Sequence, residues 1–132
     1  MIGFVIVSHS KKLANEVINL CNKIKAYDFS IVNGSGKEGK ELGSDPLVIK
    51  KAIESVYSKN GVLIFTDIGS SISNTEKAIN LLNDNYDKEK IKIADAPLVE
   101  GPIIAMAIND GKTALDNIIL ELKELKKFNK TS

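Results

Sequence analysis

The sequence of 132 residues lacks arginine and tryptophan and has one cysteine and one histidine. All 18 basic residues are lysines, so an arginine finger or a bidentate arginine clamp on phosphate cannot come from this chain. The single cysteine, Cys21, excludes an internal disulfide, and we expect it to be a core thiol. Zinc binding is not expected from so few ligands, and the carboxylates form no clustered metal motif. We therefore expect neither a metal nor a resident cofactor.

The sequence also has almost no net charge and no long apolar run. The formal net charge is +1, which gives no overall field to recruit nucleic acid or an anionic membrane. No basic segment with a long apolar run opens the chain, and no stretch reaches transmembrane length, so we expect a cytoplasmic protein without membrane insertion. With 43% hydrophobic and 27% charged residues, we expect one globular domain over residues 1–132.

Short apolar runs alternate with stretches of helical periodicity. Strands are predicted at residues 2–7, 29–32, 61–66 and 91–94. Helices are predicted from Lys11, from Pro46, through residues 72–82, from Pro102 and from Thr113. This alternation predicts an α/β fold, a single three-layer α/β/α domain with a mostly parallel sheet. Right-handed crossovers favour the strand order 2-1-3-4.

Individual residues predict how the helices begin and which way they face. Asp45 is predicted to cap the second helix, and Ser10 and Ser71 to cap the first and third. Thr113 and Asp116 resemble a capping box at the start of the last helix. The buried face of the first helix is predicted to comprise Leu13, Val17, Leu20, Cys21 and Ile24.

Two further stretches have more than one interpretation. The Gly- and Lys-rich residues 33–43 show no periodicity and predict a loop that is either solvated or folded over an anion. The helix from Pro102 is apolar on nearly every residue, which predicts burial on several sides, with a second subunit as one candidate partner.

The only histidine, His9, directly follows the first predicted strand, and Asp67 follows the third. In the order 2-1-3-4 the topological switch point lies between these two strands, where open α/β sheets bind their ligands. We therefore expect His9 and Asp67 to lie together at the carboxyl edge of the sheet.

These residue types suit phosphoryl transfer. A neutral imidazole is a nucleophile, and a carboxylate that accepts one ring N–H fixes the tautomer. We therefore predict that His9 accepts and donates phosphate and that Asp67 orients the imidazole, with the modified nitrogen left open. The phosphate would be supported by two helix N-termini, by hydroxyls and by a glycine that lets the backbone approach, namely Ser8, Ser10, Ser70, Ser71 and Gly69.

Other chemistries fit less well. A receiver domain needs an acidic pair where Ser8 and His9 stand, and a Walker A loop is absent from the sequence. Flavin binding suits the fold, but aromatic residues make up only 5% of the chain. A hydrolase triad of Ser8 or Ser70 with His9 and Asp67 can be drawn, although neither serine lies in a G-x-S-x-G motif.

Sequence motifs in register resemble a known family. They are Val5-Ile6-Val7-Ser8-His9-Ser10, Gly43-Ser44-Asp45, Asp67-Ile68-Gly69-Ser70-Ser71 with Asn74-Thr75-Glu76, and Ala96-Pro97-Leu98-Val99-Glu100-Gly101. Together they resemble the phosphotransferase subunits of phosphoenolpyruvate-dependent dihydroxyacetone kinases, whose domain is similar to the mannose-class IIA domain of the sugar phosphotransferase system. Ser44 stands where the family pattern has threonine, which keeps the hydroxyl. The last motif is expected to be structural or interfacial.

The resemblance implies a homodimeric phosphocarrier. The histidine that matches His9 takes phosphate from the carrier protein HPr and passes it to ADP held on the nucleotide-binding kinase subunit. Some relatives carry fused carrier and enzyme I domains after this one; here we expect instead that separate general phosphotransferase proteins charge His9.

Two different functions stay open beside this one. One is a IIA domain that feeds a mannose-class sugar permease, and the other is a regulatory module that reports phosphorylation state without catalysis. Within the kinase system, the final acceptor is either dihydroxyacetone or a related hydroxyketone.

Overall fold

The computed structural model describes residues 1–40, 42–127 and 129–131. Its sheet has four parallel strands in the predicted order β2-β1-β3-β4. The strands are β1 (Gly3–Val7), β2 (Ile31–Asn33), β3 (Val62–Thr66) and β4 (Ile91–Ile93). The α-helices described are α1 (Lys11–Ile24), α2 (Pro46–Val56), α3 (Ser70–Leu81), α4 (Glu100–Ile108) and α5 (Leu115–Lys123). Among the described residues, no helix has both the length and the apolarity to cross a bilayer.

Helices cover both faces of the sheet, which confirms the α/β/α architecture. One core cluster joins α1, α4 and α5 to one face, and a second joins α2 and α3 to the other. On the first face the ring of Phe4 lies 4.8 Å from that of Phe29 and 5.3 Å from that of Phe65. Because both faces are covered, β1 and β3 are buried along their whole length, as their almost continuous apolar sequences predict.

Strands β1 and β3 pair in register from end to end. Gly3 pairs with Val62, and Val7 pairs with Thr66. The two strands therefore end at the same level, and the residues after them leave the sheet side by side. The N–H of Asp67 still donates to the carbonyl of Val7 at 3.2 Å. This register fixes where the polar residues beyond the two strands meet.

The predicted buried face of α1 is partly wrong, because Leu13, Leu20 and Ile24 are exposed. The buried residues are Ala14, Val17, Ile18 and Cys21, which repeat at i, i+3, i+4 and i+7. Because Ala14 has a small side chain, this face of the helix can pack closer to the sheet than a face made only of large side chains. Cys21 is a core thiol, as predicted, and burial raises its pKa although Lys25 lowers it.

The caps of the first two helices are confirmed. At α1, the Oγ of Ser10 accepts the N–H of Leu13 at 3.2 Å. At α2, the Oδ1 of Asp45 accepts the N–H of Leu47 at 2.9 Å. Each cap satisfies a backbone donor that has no partner within its helix.

The predicted start of α5 is wrong, since the helix begins at Leu115 and no side chain caps it. The Oδ1 of Asp110 accepts the N–H groups of Lys112 and Thr113, at 2.9 and 2.8 Å, and holds them in a turn. Thr113 is therefore not an N-cap. The competing interaction is a local side-chain bond to the backbone, which aspartate commonly forms in turns.

Helix α4 begins at Glu100 rather than at Pro102. The proline occupies the third position of the helix, where its missing N–H costs no intrahelical bond. The apolar face of α4 is buried within this chain through Gly101, Pro102, Ala105 and Met106. Val99 and Ile104 remain exposed.

We expect Leu63→Ala to destabilise the protein by about 2–5 kcal/mol, because Leu63 is fully buried in β3 and its truncation leaves a cavity. The matched control is Leu120→Ala, which changes a side chain 58% exposed on α5 and is expected to cost less than about 0.5 kcal/mol. Urea unfolding of the two variants measures both values. Equal losses of stability in the two variants would contradict the described core.

Candidate active site

The carboxyl ends of β1 and β3 bring His9 and Asp67 into direct contact. The Nδ1 of His9 lies 3.1 Å from the Oδ1 of Asp67, and the backbone N–H of His9 donates to the Oδ2 of Asp67 at 2.8 Å. The two residues are 58 positions apart in sequence. Their contact depends on the parallel pairing of β1 with β3.

The imidazole has one nitrogen turned inward and one turned outward. Nδ1 contacts Asp67 and lies 3.3 Å from the Oγ of Ser71, while Nε2 lies 3.0 Å from the Oγ of Ser70. The His9 side chain is 41% exposed and that of Asp67 is 22% exposed. A tautomer with the proton on Nδ1 lets the ring donate to Asp67 and leaves Nε2 as the acceptor on the open side.

Several donors converge on the carboxylate of Asp67. Its Oδ2 accepts the hydroxyl of Ser8 at 3.0 Å as well as the N–H of His9, and its Oδ1 accepts the N–H of Ile68 at 2.9 Å. Burial raises the pKa of Asp67, but hydrogen bonds from Ser71, from the backbone and ring of His9 and from Ser8 outweigh it and lower the pKa from 3.8 to about 2. The site therefore holds a fixed negative charge behind the imidazole at neutral pH.

The four serines of the predicted site differ in their hydrogen-bond partners and in their position relative to the ring. Ser8 is buried, and its Oγ donates to Asp67 and accepts the N–H of Ser10 at 3.1 Å. The hydroxyl of Ser10 caps α1. Ser71 is fully buried behind the ring, in the first turn of α3, so it is not the predicted N-cap. Ser70 alone among them faces Nε2.

Gly69 occupies the N-cap position of α3 with φ = 61° and ψ = −121°. Apart from its own two chain neighbours, no residue has a heavy atom within 4 Å of where its Cβ would stand, so the glycine is required by the backbone conformation and not by crowding. This turn carries the chain from Asp67 into α3 within three residues. It thereby places Ser70 on the open side of the ring and Ser71 behind it.

The loop between β2 and α2 contributes contacts that the sequence did not reveal. The N–H of Gly43 donates to the carbonyl of His9 at 2.8 Å, and the N–H of Ser8 donates to the Oγ of Ser35 at 2.8 Å. The Nδ2 of Asn74 on α3 donates to the Oγ of Ser44 at 2.8 Å. The loop thus packs against the backbone on either side of the histidine. Its signals in the sequence were its length, its Gly- and Lys-rich composition and its lack of periodicity.

Beside the histidine, a groove of about 230 Å³ opens between the ends of β3 and β4, lined by Thr66, Asp67, Ile72 and residues 93–96. Within the described ranges, no three His, Cys, Asp or Glu side chains are grouped so that they could hold a metal ion. The polar side-chain groups in contact with the ring are a carboxylate and two hydroxyls.

The family model described as the PTS system fructose IIA component, EIIA-man, matches residues 3–119. The chain belongs to the EIIA-man family. Its parallel sheet, with the order 2-1-3-4, agrees with that assignment.

Curated relatives carry more specific names. The chain is 34% identical over 128 residues to the "PEP-dependent dihydroxyacetone kinase, phosphoryl donor subunit DhaM" of Providencia stuartii, covering 94% of this chain and 26% of that protein. It is 35% identical over 118 residues to subunit DhaM of "PEP-dependent dihydroxyacetone kinase 2" from Listeria innocua, covering 87% of this chain and 94% of that protein. The chain spans about a quarter of the length of the Providencia, Klebsiella and Pantoea relatives.

Two solved structures share the fold. One is a protein of unknown function named EF1359, with a TM-score of 0.79 and 31% identity over 93% of this chain and 94% of that one. The other is a sigma-54 interaction domain protein from Enterococcus faecalis, with a TM-score of 0.69 and 12% identity over 96% of this chain and 90% of that one. The second likeness concerns the fold alone.

We expect Asp67→Asn to remove part of the acid sensitivity of the fold. Because folding lowers the pKa of Asp67 from 3.8 to about 2, the native state binds fewer protons than the unfolded chain in this range. The carboxylate's contribution, about 2 kcal/mol from the size of the shift, is present above about pH 4 and is lost as the pH falls toward 2.

The measurement is urea unfolding of wild type and Asp67→Asn from neutral pH down to about pH 2. The difference in unfolding free energy between the two proteins should shrink as the pH falls. A difference that does not change with pH would show that the Asp67 pKa is not lowered in the folded protein.

Proposed function

We propose that this chain is a phosphohistidine carrier that takes a phosphoryl group from HPr on His9 and passes it to ADP bound on the kinase subunit of a dihydroxyacetone kinase. The observation that carries the proposal is the imidazole held by Asp67 through Nδ1 while Nε2 faces the open side of the site. Membership of the EIIA-man family and the names of the DhaM relatives support it.

The modified atom in this proposal is Nε2. Its lone pair attacks the phosphorus of the incoming phosphohistidine, a P–N bond to His9 forms, and the P–N bond to the donor breaks. The N–H on Nδ1 remains bonded to the carboxylate of Asp67, 3.1 Å away, which balances the positive charge of the phosphorylated ring. In the second step a terminal oxygen of the diphosphate attacks phosphorus and Nε2 leaves with its electron pair.

Ser70 is the hydroxyl that supports the phosphate. Its Oγ is 3.0 Å from Nε2 and stands in the first turn of α3, whose positive dipole end faces the same space. Ser8 and Ser71 are instead positioning residues, because they are buried behind the ring with Asp67. Ser10 keeps α1 in place, and Gly69 sets the turn before Ser70.

A second candidate is a serine hydrolase, because Ser70, His9 and Asp67 form a hydroxyl–imidazole–carboxylate chain with links of 3.0 and 3.1 Å. The backbone N–H that follows the nucleophile usually belongs to the oxyanion hole of such enzymes. Here that N–H, of Ser71, donates to the carbonyl of Ile68 at 3.3 Å. We therefore rank hydrolysis second.

Two related functions would use the same phosphorylated histidine with a different acceptor. A mannose-class IIA domain would pass the phosphate toward a sugar permease, and a regulatory module would keep it as a signal. Transfer from the phosphorylated chain to an ADP-loaded kinase subunit distinguishes the proposed carrier from both.

We expect His9→Ala to abolish phosphorylation without loss of the fold, since the side chain is partly exposed. Intact mass is followed with phosphoenolpyruvate, enzyme I and HPr. Wild type should gain the mass of one phosphate and lose it on addition of the ADP-loaded kinase subunit. A phosphate gain in His9→Ala would contradict the proposal, and a gain in wild type that is never released would favour the regulatory module.

The same assay with Ser70→Ala separates the carrier from the hydrolase. In a carrier, Ser70→Ala removes one donor to the phosphate, and the rate of phosphoryl transfer should fall by about tenfold to a hundredfold. In a hydrolase, it removes the nucleophile and should abolish hydrolysis. Ser73→Ala is the matched control, because its hydroxyl is on the same helix and donates to the carbonyl of Ser70. Covalent labelling of Ser70 by a fluorophosphonate, with no phosphate on His9, would reverse the ranking.

The carrier also forms a homodimer in this proposal, and exposed apolar side chains on the neighbouring helices α1 and α4 support it. Leu20 and Ile24 lie exposed on α1, Ile104 lies exposed on α4, and the two helices are in contact. In this proposal these three side chains form an apolar patch at the dimer interface, since contiguous exposed apolar surface marks protein–protein contacts.

We expect Ile104→Glu to dissociate the dimer, because the patch would then have to bury a charge. Leu47→Glu on α2 is the matched control, since Leu47 is exposed on the other side of the sheet. Sedimentation velocity measures the oligomeric state. A wild type that stays monomeric at micromolar concentration would contradict the dimer.

A further inference from the structure

Ser35 is a buried polar residue that the proposed transfer does not use directly. It lies in the loop after β2 and is 2% exposed. Its Oγ accepts the N–H of Ser8 at 2.8 Å and donates to the carbonyl of Ile6 at 3.3 Å. A serine buried to this extent normally satisfies a polar group that would otherwise lack a partner. Here that group is the backbone N–H of the residue before His9.

We propose that Ser35 is a positioning residue of the candidate site, acting through Ser8 on Asp67 and His9. The transfer role it would serve rests on the proposed function, whereas its effect on the ring does not. No contact between Ser35 and the imidazole is involved.

Four hydrogen bonds connect Ser35 to the ring. Ser35 fixes the backbone of Ser8, the hydroxyl of Ser8 donates to the Oδ2 of Asp67 at 3.0 Å, and the N–H of His9 donates to the same oxygen at 2.8 Å. A displacement of the Ser8 peptide therefore moves both donors to this oxygen. The other carboxylate oxygen, Oδ1, is the one that holds Nδ1.

Ser35 is itself held by an anchored neighbour. Its N–H donates to the Oδ1 of Asn33 at 2.8 Å, and the Nδ2 of Asn33 donates to the carbonyl of Lys11 at 3.0 Å and to the Oδ1 of Asn15 at 2.8 Å. The network thus joins the end of β2 to the first turn of α1 and to the residue after β1. This makes the loop part of the frame that orients the histidine.

Loss of the Ser35 hydroxyl leaves a buried N–H on Ser8 without an acceptor. The peptide must then shift toward another acceptor or toward water, because an unpaired buried amide is costly. Such a shift changes the angle of the hydrogen bond between Asp67 and Nδ1. The proton of the neutral ring is then no longer fixed on Nδ1. Misplacing a reacting group by about 1 Å can cost a hundredfold in rate, so we expect a smaller shift here to slow transfer about tenfold.

The test compares Ser35→Ala with Ser35→Thr, which keeps the hydroxyl. Ser55→Ala is the matched control, because Ser55 also donates to a backbone carbonyl, that of Ala52 in α2, but lies outside the site. Since His9 is the only histidine, its ring nitrogens give unambiguous ¹⁵N signals. Their shifts report the tautomer at a pH where imidazole is neutral.

In Ser35→Ala we expect the Nδ1–H tautomer to lose population and transfer from phosphorylated HPr to slow about tenfold. Ser35→Thr and Ser55→Ala should keep the wild-type tautomer, and their rates of phosphoryl transfer should stay within about twofold of the wild-type rate. Wild-type shifts and rate in Ser35→Ala would overturn the inference, and so would equal slowing in Ser35→Ala and Ser55→Ala. If wild type accepts no phosphate but Ser35→Ala still alters the tautomer, the positioning role stands and the proposed function fails.

Discussion

The contact between Asp67 and His9 across β1 and β3 is the interaction on which the site depends. It exists because the two central strands pair in register and end together, so residues 58 positions apart in sequence meet at one edge of the sheet. The ring is held on one side and open on the other. A loop without this pairing could not fix both the tautomer and the direction of Nε2.

The negative charge behind the ring is stable because donors surround it. Burial alone would raise the pKa of Asp67, but the hydrogen bonds it accepts bring the pKa to about 2. The carboxylate is therefore ionised at neutral pH. A carboxylate that accepts from Nδ1 raises the basicity of the opposite nitrogen, which is the property a phosphoryl acceptor requires.

A serine, a histidine and an aspartate in this arrangement are compatible with either hydrolysis or phosphoryl transfer, and the groups around them favour one over the other. Ser70, His9 and Asp67 align as in a hydrolase, yet the amide after Ser70 is engaged by Ile68. A phosphate on Nε2 would instead use the Ser70 hydroxyl and the end of α3, on the exposed side of the ring. Geometry of a triad is thus not by itself evidence for acyl transfer.

The sequence by itself determined the layered α/β fold, the strand order and the edge where His9 and Asp67 meet, because hydrophobic periodicity can be read from local sequence and the handedness of crossovers is the same in nearly all chains. It also determined the caps by Ser10 and Asp45. Tertiary structure decided which face of α1 is buried, where α5 begins and which serine faces the ring, because neighbouring stripes of apolar residues and neighbouring hydroxyls are equivalent until packing selects one. It also brought Ser35 to the backbone of Ser8 and Gly43 to the backbone of His9, since contacts made by an irregular loop have no sequence period.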